Sequence, residues 1–459
     1  MAENIVQNQL RSEDGSLLSD FVRSVEDGLE LQDRDRVREA VLELHNSDLA
    51  DLMELLRPED RTLLTRYIGD DLDFSMLTEL DEPVRDQLVE ELPNAQLAQA
   101  VVELDSDDAV YLLEDLEVGD QTDILSQIPE IDRATLQRSL DYPEDSAGRM
   151  MQADVIAVPP FWSVGQTIDY MRETKNLPQN FSELYVVDPS FHPLGFVPLS
   201  HLLRTKRPVP INDITDSDLR LISVMEDQEE VARIFERYNL LSAPIVDDNN
   251  RLVGVVTVDD IVEVIQEEAE EDIHRLGGVG DESITDTVLS TTRSRFTWLF
   301  VNLLTAILAS LVISLFDATI DQMVALAILM PIVASMGGNA GTQTMTVAVR
   351  ALATRDLGTV NALRVIGREF VVGVLNGLLF AVILGGVTVF WFGSVQLGLV
   401  IACAMVFNMV VAGLSGILVP LGLDQMKIDP AVASSVFVTT VTDVVGFFVF
   451  LSLAAYWMF

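Results

Sequence analysis

Residues 20–140 carry apolar side chains at helical spacing in short runs, as in "LADLMELLRPEDRTLLTRYI" and again in "LAQAVVELDSDDAVYLLEDL". Apolar positions three and four residues apart fall on one helix face, so these runs predict short amphipathic helices. Their recurrence is typical of degenerate repeats in a helical superhelix. We therefore expect a superhelical domain over residues 20–143, preceded by a disordered N-terminus over residues 1–19.

The pattern then changes to short β-rich runs. The stretches "SELYVVDPSFHPLGFVPLSHLL" (182–203) and "LSAPIVDDNNRLVGVVTVDDIV" (241–262) share one layout of strand, acidic turn, Gly-containing strand and helix start. Each follows an amphipathic helix, and the two lie about 58 residues apart. The layout predicts a duplicated α/β unit with halves over residues 144–208 and 209–262.

An acidic helix is expected next, over residues 258–288, because "VDDIVEVIQEEAEEDI" places carboxylates on most faces of a helix. Two carboxylates about 6 Å apart repel by roughly 3 kcal/mol at an effective dielectric of about 20. Several such pairs would keep neighbouring parts of the protein separate until divalent cations bind. A solvated acidic face is the alternative interpretation of such a charge run.

Long uncharged runs fill the last third of the chain. About 20 apolar residues suffice to cross the hydrocarbon core of a bilayer. The runs predict a membrane domain over residues 293–459 with five helices at about 296–316, 322–349, 364–392, 396–422 and 431–457. Lys and Arg fall before the first span, between the second and third, and between the fourth and fifth, which makes those sides cytoplasmic. With no signal-peptide core at the start, we expect a cytoplasmic N-terminus and an outside C-terminus.

Two polar features interrupt these spans. The segment "PIVASMGGNAGTQ" (331–343) contains glycines and amides that are costly to expose to lipid. It favours a water-filled path lined by backbone and amide oxygens, with close helix packing as the alternative. Asp443 is the only charge in the last span, and intramembrane carboxylates are functional candidates by default. A proton-carrying group in a coupled transporter is the other interpretation of Asp443.

Charge divides the chain as sharply as hydropathy does. The net charge of -43 splits into about -40 for residues 1–280 and -3 for the rest. An acidic soluble part argues against nucleic acid or anionic lipid as its partner and favours cations. Adaptation of a whole proteome to salt is the alternative cause of the acidity. The only cysteine, Cys403, lies in an apolar segment, which argues against a disulfide framework or a Cys-based zinc site.

The duplicated unit resembles tandem CBS domains, most specifically in "SAPIVDDNNRLVGVVTVDDI". The whole order of segments resembles the MgtE family of bacterial magnesium channels, with the most specific matches in "PIVASMGGNAGTQ", "RALATRDL", "IDPAVASS" and "TTVTDVVGF". The resemblance covers about residues 20–459. It implies a multidomain fold: an α-helical superhelical N domain, an α/β tandem CBS pair, an acidic connecting helix and an all-α membrane domain of five transmembrane helices.

The resemblance also implies a function. It predicts a transporter rather than an enzyme: a homodimer in the plasma (inner) membrane that imports Mg²⁺ between its subunits and closes when cytosolic Mg²⁺ is high. Two alternatives stay open, a secondary divalent-cation transporter coupled to H⁺ or Na⁺ and a non-conducting, membrane-anchored CBS sensor. A polar path and an intramembrane carboxylate favour conduction, because a mere anchor needs neither.

The candidate site residues form three groups. Those of the ion path combine a carboxylate with amide, backbone and hydroxyl oxygens, which suits a Mg²⁺ ion that keeps several waters: Asp443, Asn339, Gly338, Thr439 and Thr440. The resemblance implies regulatory Mg²⁺ ligands at Asp227, Glu229, Asp260, Glu263, Glu268, Glu271, Asp272 and Asp429, with Asp107 and Asp108 aligned more loosely. Asn239 stands where some relatives have an acid.

A nucleotide site is the third candidate. Thr257 and Asp260 match positions that often hold a nucleotide in CBS domains, so ATP is a candidate ligand of the pair. A Thr before a helix and an Asp in its first turn are also helix-capping residues, which is the alternative interpretation.

Overall fold

The computed structural model describes residues 10–12, 15–174, 177–178, 180–279, 288–358 and 361–458, without the side chains of residues 70 and 432–434. It divides into two compact units, Met1–Glu267 and Glu268–Phe459. Residues 280–287 of the predicted connecting helix, and residues 1–9 and 13–14 of the predicted N-terminal tail, lie outside the described residues.

Nine short helices build the N-terminal part of the first unit, as far as the described residues show. They are α1 (Ser19–Glu30), α2 (Arg34–Val41), α3 (Asn46–Leu55), α4 (Pro58–Ile68), α5 (Glu82–Glu91), α6 (Asn94–Glu103), α7 (Ser106–Glu114), α8 (Val118–Gln127) and α9 (Glu130–Leu140). Their apolar faces meet in one continuous core that includes Leu52, Leu64, Leu88 and Leu113. The predicted helical N domain is confirmed.

The segment before α1 differs from the expected disorder where it is described. Leu17 is buried against the helical core. Arg11 donates to Asp48 Oδ1 through Nε at 2.8 Å and pairs with Asp51, which is a charge-assisted contact to α3. One apolar anchor and one arginine fork therefore hold this short stretch, although its composition resembles a flexible tail.

Two three-stranded sheets follow, with the same topology. Their elements are β1 (Ala157–Val158), α10 (Val164–Glu173), β2 (Glu183–Val187), β3 (Pro193–Pro198), α11 (Leu199–Arg204), β4 (Ile222–Ser223), α12 (Gln228–Tyr238), β5 (Ser242–Val246) and β6 (Leu252–Thr257). In each sheet the first strand pairs parallel with the second, and the second antiparallel with the third, with one register shift. Tyr185 Oη lies 2.8 Å from Ser242 Oγ across the two halves. The predicted α/β pair is confirmed.

The acidic helix α13 (Val258–Gly277) begins directly after β6. Its buried residues in the first unit are Ile261 and Val264, which pack into the core of the second sheet half. Its last turn contributes Leu276 to a cluster with Met345 and Val438 in the second unit. The helix is therefore held by apolar contacts near both of its ends, while its carboxylates cover the surface between them.

The second unit contains five helices long and apolar enough to cross a membrane, counted over the described part of the chain. They are α14 (Val288–Ser314), α16 (Ala325–Ala353), α17 (Ala362–Phe392), α18 (Val395–Gln425) and α19 (Pro430–Met458). The short helix α15 (Asp317–Gln322) lies between α14 and α16. Small residues let α17 and α18 approach closely: a Cβ on Gly377 would lie 2.8 Å from Val406 Cα. The five predicted apolar spans are confirmed.

Candidate functional site

The polar segment of α16 has two different faces. Gly337 and Gly341 are buried against neighbouring helices, and a Cβ on Gly341 would lie 2.5 Å from Val438 Cγ1 of α19. Gly338 is only half-buried, Asn339 is exposed, and a Cβ on Gly338 would lie 3.9 Å from Thr439 Cγ2. Close helix packing therefore explains Gly337 and Gly341, whereas Gly338 and Asn339 belong to a polar surface.

Helix α19 presents Thr439, Thr440 and Asp443, all half-buried within the chain. Thr439 Oγ1 donates to Ser435 O at 2.9 Å, and Thr440 Oγ1 donates to Val436 O at 2.6 Å. Because the hydroxyl protons point at the helix backbone, the oxygen lone pairs are left to face a cation or its water. Thr439 and Asp443 are one helical turn apart and share a face.

The structure thus brings Gly338 of α16 next to Thr439 of α19, with Asp443 on the same face one turn along. Asn339 follows Gly338 on the exposed side of α16, and Thr440 flanks Thr439. The arrangement offers a carboxylate, hydroxyl oxygens and an amide, which are the oxygen donors that Mg²⁺ and its hydration shell accept.

Two polar residues near this face are missed by the sequence analysis. Glu369 of α17 is 12% exposed, and its Oε2 accepts a hydrogen bond from Thr344 Oγ1 of α16 at 3.3 Å. It directly precedes the uncharged run that begins at Phe370, near the start of the predicted third helix, so the sequence does not mark it as an intramembrane acid. Asn408 of α18 is 1% exposed, and a lone amide within an apolar run was the available signal.

A cluster of acids lies in the first unit, where α7 meets the start of α13. Burial and the charge of Asp260 raise the pKa of Asp108 to about 6. Burial raises the pKa of Asp260 to about 6, and partial burial beside Asp260 raises that of Glu263 to about 7. Burial, followed by the charge of Asp260, holds the pKa of Asp107 well above its ordinary value. The predicted ligands Asp107, Asp108, Asp260 and Glu263 are therefore neighbours.

These acids do not form a ready-made metal cage. Among the described residues, no three His, Cys, Asp or Glu side chains converge closely enough to hold a metal ion. One oxygen of Asp107, Oδ1, is buried without a hydrogen-bond partner, which is an expensive state for a carboxylate. A carboxylate oxygen without a hydrogen-bond partner, beside acids whose pKa values are raised, fits a site for hydrated Mg²⁺. That ion is usually bound through one or two carboxylates and its own waters.

Three other positions named in the sequence analysis have structural roles in the α/β pair. Asp227 caps α12 by accepting a hydrogen bond from Glu229 N at 3.0 Å. Asn239 ends the same helix with a φ of 52°, a left-handed conformation that Asn tolerates better than most residues. Asp260 Oδ2 accepts hydrogen bonds from Thr257 Oγ1 at 2.7 Å and from Thr257 N at 3.3 Å, and the second is the contact that a helix-capping acid makes. The nucleotide site at Thr257 and Asp260 stays a prediction.

The remaining predicted acids lie in the second unit, at the end of α13. Arg275 forms ion pairs with Glu271 and with Asp429, the residue just before α19. Burial, followed by the charge of Asp429, raises the pKa of Asp272. Glu268 lies one turn before Asp272 on the same helix. An arginine, missed by the sequence analysis, thus already supplies positive charge where three carboxylates meet.

Known families match most of the chain. A model described as "Divalent cation transporter" (MgtE) matches residues 330–453, one for the MgtE intracellular N domain matches residues 44–145, and CBS domain models match residues 147–207 and 211–267. The order of the three matches is that of the segments described above.

Individual proteins similar to this chain agree with the family matches. The chain is 31% identical to "Magnesium transporter MgtE" of Thermus thermophilus over 452 residues, covering 94% of this chain and 97% of the relative. It is 29% identical to "Magnesium transporter MgtE" of Bacillus subtilis over 418 residues, covering 91% and 93%. A solved structure of the cytosolic domain of the Mg²⁺ channel MgtE in complex with ATP is similar at 26% identity and a TM-score of 0.49, covering 53% of this chain and 99% of that one. The chain therefore belongs to the MgtE family, a multi-pass membrane family described as divalent cation transporters.

Proposed function

We propose that this chain conducts Mg²⁺ across the plasma membrane through a path lined by Asp443, Gly338 and Thr439. The observation that carries the proposal is the single carboxylate of α19 on the face it shares with Thr439, next to the polar segment of α16. A carboxylate in the membrane is costly, and a cation path gives it a use. Relatives named magnesium transporters over nearly the whole chain support Mg²⁺ as the ion.

The chemistry of the path follows from the Mg²⁺ hydration shell. Mg²⁺ loses its inner waters reluctantly, so oxygen atoms that accept hydrogen bonds from those waters are better suited than a tight cage. Thr439 and Thr440 present hydroxyl oxygens whose protons are held by the helix backbone. A homodimer, which is part of the proposal, would place two copies of Asp443 across one path and double its negative charge.

Cytosolic Mg²⁺ closes the path in this proposal. The acids Asp107, Asp108, Asp260 and Glu263 have raised pKa values because they are partly buried near one another, so their ionised forms repel. A hydrated Mg²⁺ among them would offset that repulsion and hold α7 against α13. At the other end of α13, Glu271, Asp272 and Asp429 offer carboxylates of the same kind beside Arg275.

The orientation belongs to the same proposal. The acidic N-terminal unit would face the cytosol and the end of α19 the outside, as the positions of Lys and Arg indicate. Only this orientation exposes the acid cluster to the Mg²⁺ concentration that the cell must sense.

Reconstitution of the full chain in lipid vesicles tests the proposal. We expect Mg²⁺ uptake down its gradient without a pH or Na⁺ gradient, unitary currents in single-channel recording, and a fall in open probability when Mg²⁺ is added on the side of the N-terminal unit. Uptake that needs an H⁺ or Na⁺ gradient, with no unitary current, would establish a coupled transporter instead. No divalent flux under any gradient would leave a membrane-anchored sensor.

A further inference from the structure

Asn408 is a polar residue in an otherwise apolar stretch of the membrane helix α18. It is 1% exposed, and its neighbours along the buried side of the helix are Ala404, Met405, Met409 and Ala412, all nearly inaccessible. Burying an amide in such a place costs stability unless its hydrogen bonds are made. A leucine or methionine would fill the volume at lower cost, so the amide indicates a specific contact.

That contact is made to α16. Asn408 Nδ2 donates a hydrogen bond to the backbone carbonyl of Val333 at 2.7 Å. The direction of the amide is fixed by this bond, because the swapped orientation would bring two carbonyl oxygens together. The other amide atom, Oδ1, is buried and has no hydrogen-bond partner among the described residues. Asn408 thus links α18 to the turn of α16 that precedes Gly337 and Gly338.

Glycines on two helices make room for this side chain. A Cβ on Gly337 of α16 would lie 2.3 Å from Asn408 Nδ2, closer than real Cβ contacts occur. A Cβ on Gly446 of α19 would lie 3.0 Å from Asn408 Oδ1. The amide is therefore wedged between α16 and α19 and contacts the backbone side of both.

The two contact points lie behind the candidate ion path. Gly337 directly precedes Gly338, whose Cβ position faces Thr439 Cγ2 at 3.9 Å. Gly446 follows Asp443 by three residues on α19, which is about one helical turn. A change in the shape or hydrogen bonding of Asn408 would therefore shift both walls of the path without touching an ion.

We propose that Asn408 is a positioning residue that sets the spacing of α16 and α19 and thereby helps the path to discriminate Mg²⁺ from the larger Ca²⁺. The inference rests on the proposed divalent path. Mg²⁺ holds its waters at about 2.0–2.1 Å in near-octahedral geometry, whereas Ca²⁺ holds oxygen ligands at about 2.3–2.6 Å in flexible geometry, so the two hydrated ions differ in size and rigidity. A path whose walls are held in place can use that difference, and a looser path cannot.

The test uses the full chain in lipid vesicles and the ratio of Ca²⁺ to Mg²⁺ permeability, from uptake and reversal potentials. Asn408→Leu keeps a similar shape and removes the hydrogen bond to Val333. We expect the ratio to rise about tenfold, which corresponds to about 1.4 kcal/mol of lost discrimination. Thr388→Val is the matched control, since Thr388 of α17 is fully buried and its Oγ1 also has no partner. It should keep the wild-type ratio.

Two further variants separate the hydrogen bond from simple packing, and they carry the test if Asn408→Leu fails to assemble. Gly337→Ala forces a methyl group against an intact Asn408 and should raise the ratio as well. Asn408→Ala with Gly337→Ala refills the space without the bond, so the ratio should stay high. The inference is overturned if Asn408→Leu or the double variant assembles and shows wild-type discrimination. Wild-type protein that passes neither ion would contradict the proposed function, and this inference with it.

Discussion

Replacing Asp260 by Asn should weaken the magnesium response of the N-terminal unit. The substitution removes one negative charge from the cluster with Asp107, Asp108 and Glu263. It keeps an oxygen that can accept the 2.7 Å hydrogen bond from Thr257 Oγ1, so the start of α13 should form as before. The effect therefore reports the charge at this position rather than loss of a helix cap.

The size of the expected free-energy change follows from the pKa of the neighbouring Asp108. The pKa of Asp108 is raised from 3.8 to about 6, first by burial and next by the charge of Asp260. A rise of about two units corresponds to roughly 3 kcal/mol. Since burial is the larger cause, removing the charge of Asp260 should recover less than half of that, about 1 kcal/mol or a factor of about five in an equilibrium.

Hydrogen exchange of peptides from α7 and from the first half of α13 measures this directly. Without Mg²⁺ at pH 8, above the raised pKa values of Asp108, Asp260 and Glu263, the variant should be more protected than wild type because the repulsion is smaller. Millimolar Mg²⁺ should raise the protection of wild type strongly and that of the variant little, because a ligand has been lost.

Asp259→Asn is the control, since it removes the same charge one residue earlier, where the side chain is exposed. If both variants respond to Mg²⁺ identically, or if Asp260→Asn keeps the wild-type response, general charge screening explains the effect and the cluster is not a magnesium site.

Three further predictions concern other parts of the chain. Burial raises the pKa of Glu114 to about 7, so the folded form retains a proton that the unfolded form releases above about pH 4.5, and stability falls as pH rises from there towards 7. The melting temperatures at pH 5 and pH 8 should differ less for Glu114→Gln than for wild type. An equal difference in the two proteins would exclude Glu114 as the cause. Arg275→Gln removes the cation that neutralises Glu271 and Asp429, so these carboxylates should attract Mg²⁺ more strongly. Half-maximal closure in flux assays should then require several-fold less Mg²⁺, and an unchanged or higher midpoint would contradict this. A Cβ on Gly416 would lie 2.6 Å from a backbone oxygen of α16, so Gly416→Ala should destabilise the membrane unit by about 1–3 kcal/mol, whereas Gly386→Ala, with open space around it, should not; equal melting temperatures would refute the packing.

Features with a local signal were predictable from the sequence. The five apolar runs are long enough to identify spans without tertiary information. The repeated strand layout appears twice with the same register, and Ser163 with Gln166 forms the capping box that begins α10. In each case residues within one helix or one hairpin determine the element.

Contacts between distant residues were not predictable in the same way. Asn408 bonds a residue 75 positions away, and Arg275 meets Asp429 over 154 positions. The adjacent residues Gly337 and Gly338 of α16 illustrate a second limit of prediction from sequence. Adjacent helix positions differ by about 100° in direction. The sequence therefore does not say that Gly337 packs inward while Gly338 faces Thr439.

The most direct test of the proposed path is Mg²⁺ flux through Asp443→Asn in lipid vesicles, beside wild type at equal protein density. The amide preserves the shape of the side chain and removes the only charge in the last span. Wild type should pass Mg²⁺, and the variant should lose most of that flux while expression and assembly stay unchanged. Wild-type flux through Asp443→Asn, and through Asp443→Ala, would contradict the proposal that this carboxylate lines the path.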